Sequence, residues 1–229
     1  MPLPTVRGSL DPEKVAYWYF RLNGFLQIEN FVVHPERGGS QRTDADLIAV
    51  RFPHRAERAY DNPKDIMADD ESRLCLSRDL IDVVIAEVKT NQPCTLNGPW
   101  TQRDRRNVHR VLAAIGCLPR EHIEKAADDI YGAGIHIGEG LRIRLVAIGR
   151  DTSHDLAKRH PEVTQVTWPD MLGFIWSRFH TYRRQKTQVD QWDADGKKIK
   201  ELADRSYKKE IFVKTALGQM GVIDGFLSG

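Results

Sequence analysis

Polar and apolar positions divide the chain into short elements of two periods. Residues 11–24 predict one helix: a capping Asp11 precedes Pro12 at the first helical position, and Asn23-Gly24 stops the run. Residues 25–34 are rich in β-branched and aromatic side chains and are broken by Pro35-Glu-Arg-Gly-Gly-Ser, which predicts a strand and a turn. Residues 47–52 and 83–86 are short apolar runs of the kind that form strands covered on both faces, central to a sheet. Between them, residues 53–80 are polar and without clear period, an inserted, mobile excursion.

In the second half, Val108, Val111, Leu112 and Ile115 recur at helical spacing behind Arg103, Arg105 and Arg106, with Arg110 among them. An amphipathic helix with a basic entry over 101–115 is expected, then a second helix over 121–131. The glycine-rich stretch 132–140 reads as a turn into a strand at 141–149, and 163–168 as a last strand. Pro169 opens a helix whose Leu172, Ile175, Trp176 and Phe179 form an apolar stripe. Beyond Lys186 the chain turns polar, with a turn signal at Asp195-Gly-Lys and a charged helical run toward Gly218. The predicted class is α/β: a mixed central sheet flanked by helices, with a core over 1–186, an insertion at about 53–80 and a polar, helical tail over 187–229 that packs on the core or pairs with another chain.

Composition narrows the function classes. The 229 residues carry 34 Lys+Arg against 32 Asp+Glu, a formal charge of +2, so local patches and not the total decide whether nucleic acid is a partner. Cys75, Cys94 and Cys117 lie far apart and form no CxxC pair, which argues against a zinc ribbon or disulfide framework. No stretch approaches the ~18 apolar residues of a membrane span, and the first residues lack a basic region followed by an apolar run. A cytoplasmic chain without a membrane partner is expected. No GxxxxGK[ST] or GxSxG motif occurs, so no nucleotide cofactor is expected. The histidines show no HxH or HExxH spacing, and none is assigned to a metal.

The strongest local anomaly is Asp82-Val-Val-Ile-Ala-Glu87-Val-Lys89, a strand buried on both faces that ends in opposite charges. Such charges are costly unless paired, metal-bound or lining a cleft. Thr43-Asp44-Ala45-Asp46 enters the preceding strand in the same way. If the two strands pair, Asp46 and Glu87 approach, and two carboxylates with a backbone carbonyl make the hard oxygen site that Mg²⁺ prefers. Lys89 beside it can orient the attacking water or offset charge at a phosphate, so the chemistry implied is phosphodiester hydrolysis.

An early helix bearing an acid, an Asp before an apolar strand and Glu-x-Lys ending the next strand together resemble the PD-(D/E)xK nuclease superfamily. Arg7-Gly-Ser9, Glu13, Gly24-Phe25, Gly38-Gly-Ser40, Asp46 and Glu87-x-Lys89 look most like the archaeal Holliday-junction resolvases and Mrr-type restriction nucleases. The resemblance covers about residues 7–150. It implies a restriction-endonuclease-like αβββαβ core, Asp46 and Glu87 as ligands of Mg²⁺ or Mn²⁺, Lys89 as catalytic lysine, Glu13 as a further metal-site acid and Gln102 as a supporting residue. It also implies a homodimer acting on DNA in repair, recombination, restriction or phage defence. Two departures are Ala45 where the family has Pro, and a long loop between Asp46 and Glu87. Arg103, Arg105, Arg106 and Arg110 become candidate DNA-backbone contacts. The alternatives are a non-catalytic nucleic-acid-binding module on this fold and an RNA-directed nuclease.

Overall fold

A computed structural model describes residues 9–34, 43–58 and 64–222. Arg7, Gly8 and Gly38-Gly-Ser40, part of the family resemblance, lie outside the described residues. Helix α1 (Pro12–Leu22) begins as its sequence dictates: the Asp11 carboxylate accepts the Glu13 N–H at 2.9 Å. It ends at Gly24, whose φ of +80° turns the chain into strand β1 (Leu26–Val33). β1 pairs antiparallel with β2 (Thr43–Arg51). After the short helix α2 (Glu71–Leu74), β3 (Ile81–Val88) pairs antiparallel with β2 on its other side.

The chain then crosses through α3 (Gly98–Thr101), α4 (Asn107–Ile115) and α5 (Ile123–Ala133), reverses in β4 (Ile135–Gly138) and runs parallel to β3 as β5 (Leu141–Gly149). Helix α6 (His154–Arg159) leads on to β6 (Thr164–Thr167). The far edge of β5 is shared: β4 pairs antiparallel with its first half, and β6 pairs parallel with its second. The result is a six-stranded mixed sheet, β1-β2-β3-β5-β4 with β6 also on β5, flanked by helices. No helix among the described residues is long and apolar enough to cross a membrane.

Parity splits the core in two. Leu47, Ala49, Val84, Ala86, Val146 and Ile148 face α1, α7 (Trp168–Thr181), α8 (Ala194–Arg205) and α9 (Lys209–Gln219). Ile48, Val83, Ile85, Ile143, Leu145 and Ala147 face Trp100, α4 and α5. The tail left open by the sequence packs on the core: Trp192 lies on Trp18 at 4.4 Å between ring centroids, and Ile199, Leu202, Phe212 and Ala216 are buried against the α1 side.

Four expectations need correction. The stretch 132–140 is not all turn, because Ile135–Gly138 finds a partner in Leu141–Arg144 and forms β4. The basic entry at 103–106 is not α-helical: it is a 3₁₀ turn ended by Arg106 at φ +53°, and the helix starts at Asn107. Asp195-Gly-Lys is not a turn but the first turn of α8, since Asp193 caps Gly196 N–H at 2.7 Å and Gly196 abuts Trp18, where no Cβ fits. The excursion at 53–80 is packed down where it is described. Met67 and Leu74 are buried, α2 forms within it, and Asp69 is ion-paired to Arg51, Arg55 and Arg178.

Candidate functional site

The strand pairing brings the predicted carboxylates together. Leu47 opposes Ala86 and Ile48 opposes Ile85, and the same register continues to set Asp46 beside Glu87, where the two strands part. The Asp46 side chain takes over from the ladder there, its Oδ2 accepting the Val88 N–H at 2.6 Å. Asn30, in line with Asp46 across β1, adopts φ +50°, and side-chain parity changes phase at this point. Leu47 belongs to the α1-side core, whereas Ala45 and Phe31 belong to the other. The distortion turns the Asp46 end of β2 away from regular pleating.

Glu87 is 2% exposed at the end of a central strand, a position that demands partners. Lys89 Nζ and Asn97 Nδ2 donate to its Oε1, and Trp100 Nε1 donates to Oε2 at 2.6 Å. Asn97 stands at the N-cap position of α3 with its side chain turned to Glu87 instead of the helix, and Pro99 lies in the first turn that carries Trp100. The backbone beyond Glu87 is held as well: Trp168 Nε1 is shared between the Lys89 and Thr90 carbonyls at 3.0 and 3.1 Å. Sequence reasoning misses the roles of Asn97, Trp100 and Trp168. The one local signal of a fixed side chain is the capping pattern Asn97-Gly-Pro-Trp.

Electrostatics set this cluster apart. Burial raises the Glu87 carboxyl above its ordinary value, against the opposing Lys89 bond and with added repulsion from Asp46. Burial likewise raises Asp46, opposed by the Val88 N–H and Lys89. Glu13, in the first turn of α1, is raised by burial and then by Asp46, Asp11, Asp44 and Glu29. Carboxylates from α1, β2 and β3 thus converge on a region where Lys89 supplies the cation paired with Glu87.

The remaining candidates lie apart. Gln102 is exposed at the end of α3, its side chain folded back toward Gly98. Arg103 pairs with Asp128, and Arg106 spans both oxygens of Glu124 at 3.3 and 2.8 Å. Those two arginines therefore tie the start of α4 to α5. Among the described residues, the trio of metal-type side chains with ligand atoms all within 4.8 Å of one another is His109, Glu124 and Asp128. Glu13, Asp46 and Glu87 are not drawn that close.

A buried ion cluster closes the opposite end of β3. Asp82, 1% exposed, accepts from Arg142 and Arg144 together, four bonds of 2.7–3.0 Å. These bonds hold its carboxyl below the ordinary range despite burial. Both charged ends of the central strand are therefore built, but only the Glu87 end has an excess of acids.

Compared with protein-family models, with curated proteins and with solved structures, the chain matches none. The site's chemistry has to be judged on its own geometry.

Proposed function

We propose that this chain is a metal-dependent nuclease that hydrolyses DNA phosphodiester bonds, with Asp46, Glu87 and Lys89 at its centre. The observation that carries the proposal is Glu87: a buried carboxylate ending a central strand, set by register beside Asp46 and paired with Lys89. The order of three antiparallel strands, a helical crossover and a parallel strand supports a restriction-endonuclease-like core. The acid-x-Lys triplet in that context supports membership of the PD-(D/E)xK superfamily.

The donor set fits a hard cation. It consists of carboxylate oxygens whose protonation equilibria are already pushed upward by burial and by one another. A carboxylate has about four acceptor positions, and Lys89, Asn97 and Trp100 engage three at Glu87, which leaves it room for a further partner. Asp46 and Glu87 would hold Mg²⁺ or Mn²⁺, with Glu13 bearing on the ion or its water from α1. The ion would polarise the scissile phosphate and acidify a bound water. Lys89 Nζ lies against Glu87 Oε1, where it would orient that water and offset charge developing on the phosphate. Asn97 and Trp100 prevent Glu87 from swinging away, and Trp168 fixes the backbone that carries Lys89.

The engagement of Glu87 by three donors favours a second reading, a non-catalytic nucleic-acid-binding module in which Glu87 and Lys89 are a structural ion pair. Incubation with linear, supercoiled, single-stranded and four-way-junction DNA and with RNA, in Mg²⁺, Mn²⁺ or EDTA, separates the two. Cutting of DNA that requires the metal and disappears in Glu87→Ala is expected. Binding without cutting on every substrate would leave the module, and cutting of RNA alone would move the substrate class. DNA-backbone binding by the arginines has its own test. Replacing Arg103, Arg105 and Arg106 together is expected to weaken binding on all sequences and to flatten its dependence on log[salt] by about 0.9 for each phosphate no longer neutralised. An unchanged slope would confine Arg103 and Arg106 to their bonds with Asp128 and Glu124.

A further inference from the structure

Among the described residues, His109 is a buried histidine with both ring nitrogens lacking a hydrogen bond. It lies on α4 with 6% exposure. Its Nε2 stands 3.3 Å from Glu124 Oε1, without the alignment that a hydrogen bond needs. Glu124 and Asp128 are four residues apart on α5 and so share a face toward α4. One ligand atom from each of the three lies within 4.8 Å of the other two.

We propose that His109, Glu124 and Asp128 form a binding site for a divalent transition-metal ion of the Zn²⁺ class, separate from the carboxylates of β2 and β3. The spacing is of the right kind. Ligands at about 2.0–2.1 Å from a tetrahedral ion stand about 3.3 Å apart, the separation found between His109 Nε2 and Glu124 Oε1. Asp128 closes the set from the next turn of α5. An imidazole nitrogen with two carboxylates suits Zn²⁺, Co²⁺ or Mn²⁺ better than Ca²⁺ or Mg²⁺, and the two negative charges balance the ion. Water completes the coordination.

Arg103 and Arg106 supply the balancing charge as the residues stand, paired to Asp128 and Glu124. Both guanidinium side chains are more than half exposed and can turn to solvent. Arg106 need not leave, because its stronger bond is to Glu124 Oε2, at 2.8 Å, and Oε1 is the oxygen beside His109. The site thus exchanges a guanidinium at Asp128 for an ion shared with a buried imidazole whose ring nitrogens otherwise make no hydrogen bond.

The test uses the full chain stripped with EDTA and titrated with Co²⁺, read by visible absorption, and with Zn²⁺ against a chromophoric chelator. One equivalent of Co²⁺ displaced by Zn²⁺ is expected. Asp128→Asn and Glu124→Gln, both at side chains that solvent reaches in part, should keep the circular dichroism of the parent and each weaken Zn²⁺ binding about tenfold or more, since even losing a group that only orients a ligand costs about 10–100-fold. His109→Gln should do the same, and Glu87→Gln should not change it. Absence of a Co²⁺ band with no retained Zn²⁺, or binding unaltered by Asp128→Asn, would overturn the proposal. So would loss of the equivalent in Glu87→Gln alone, which would put the ion at β3.

Discussion

On the proposed nuclease mechanism, Lys89→Ala is expected to reduce DNA cleavage by about 10²–10⁴-fold, the range for a group that handles protons or developing charge, while DNA affinity stays within a few-fold. Single-turnover cleavage and a binding titration on the same DNA read the two effects separately. The substitution also has a signature in stability. Lys89 opposes the burial that raises the Glu87 carboxyl, so its loss raises that carboxyl further. A carboxyl with a folded value above its unfolded one contributes stability that is fully present below the unfolded value and is lost as pH rises through the folded value. Lys89→Ala should therefore lose more stability in denaturant at about pH 8 than at about pH 5. Adding Glu87→Gln, which cannot ionise, should abolish that pH dependence without restoring cleavage. Parental cleavage rates in Lys89→Ala would remove the lysine from the chemistry and favour a structural ion pair.

What the sequence made legible follows from period. The alternation in β3 separates Val83 and Ile85 from Val84 and Ala86, and the structure sorts these pairs into opposite cores. That same parity aims Glu87 toward Trp100, on the side occupied by Val83 and Ile85. Strand β5 occupies the residues expected of it, 141–149, because it is apolar almost throughout and bounded by glycines. Helix α1 is written in its cap and its Pro.

Long-range partners were not legible, because no local period encodes them. Asp82 reads as a charge ahead of an apolar run, and only the parallel register Asp82↔Arg142 explains why it is buried. Arg142 and Arg144 did leave a trace, since they alternate with Leu141, Ile143 and Leu145 and so share one face. Composition groups the arginines at 103–110 together and does not report that α5 presents Asp128 to Arg103 and Glu124 to Arg106. Spacing along the chain assigns His109 to no metal for a related reason: its acidic neighbours come from the next helix and form no ligand motif in sequence.

The excursion between β2 and β3 makes the largest expected difference to stability. Arg178, on α7, is fully buried in its side chain, and burial pulls its guanidinium below the ordinary value against the pull of Asp69 and Glu57. It donates to Ala68 O at 2.9 Å, to Leu22 O at 2.5 Å and to Asp69 Oδ1 at 3.0 Å. One side chain thus joins the end of α1, the excursion and α7. Removing one member of such a buried set leaves the others charged or unpaired, at a cost of about 3–5 kcal/mol. Arg178→Met, which keeps the apolar stem, is expected to lose about that much in equilibrium denaturation, with hydrogen exchange at residues 66–70 accelerating beyond the global change. Asp69→Asn should be at least as damaging, because Asp69 also receives Arg51 and Arg55. The exposed pair Arg78 with Glu71 is the control: Arg78→Ala removes a bond of similar length, 2.8 Å, from a setting where water replaces it, and should leave the transition unmoved. A loss from Arg178→Met no larger than that control would mean that water already reaches the cluster, and that the excursion is held by Met67 and Leu74 instead.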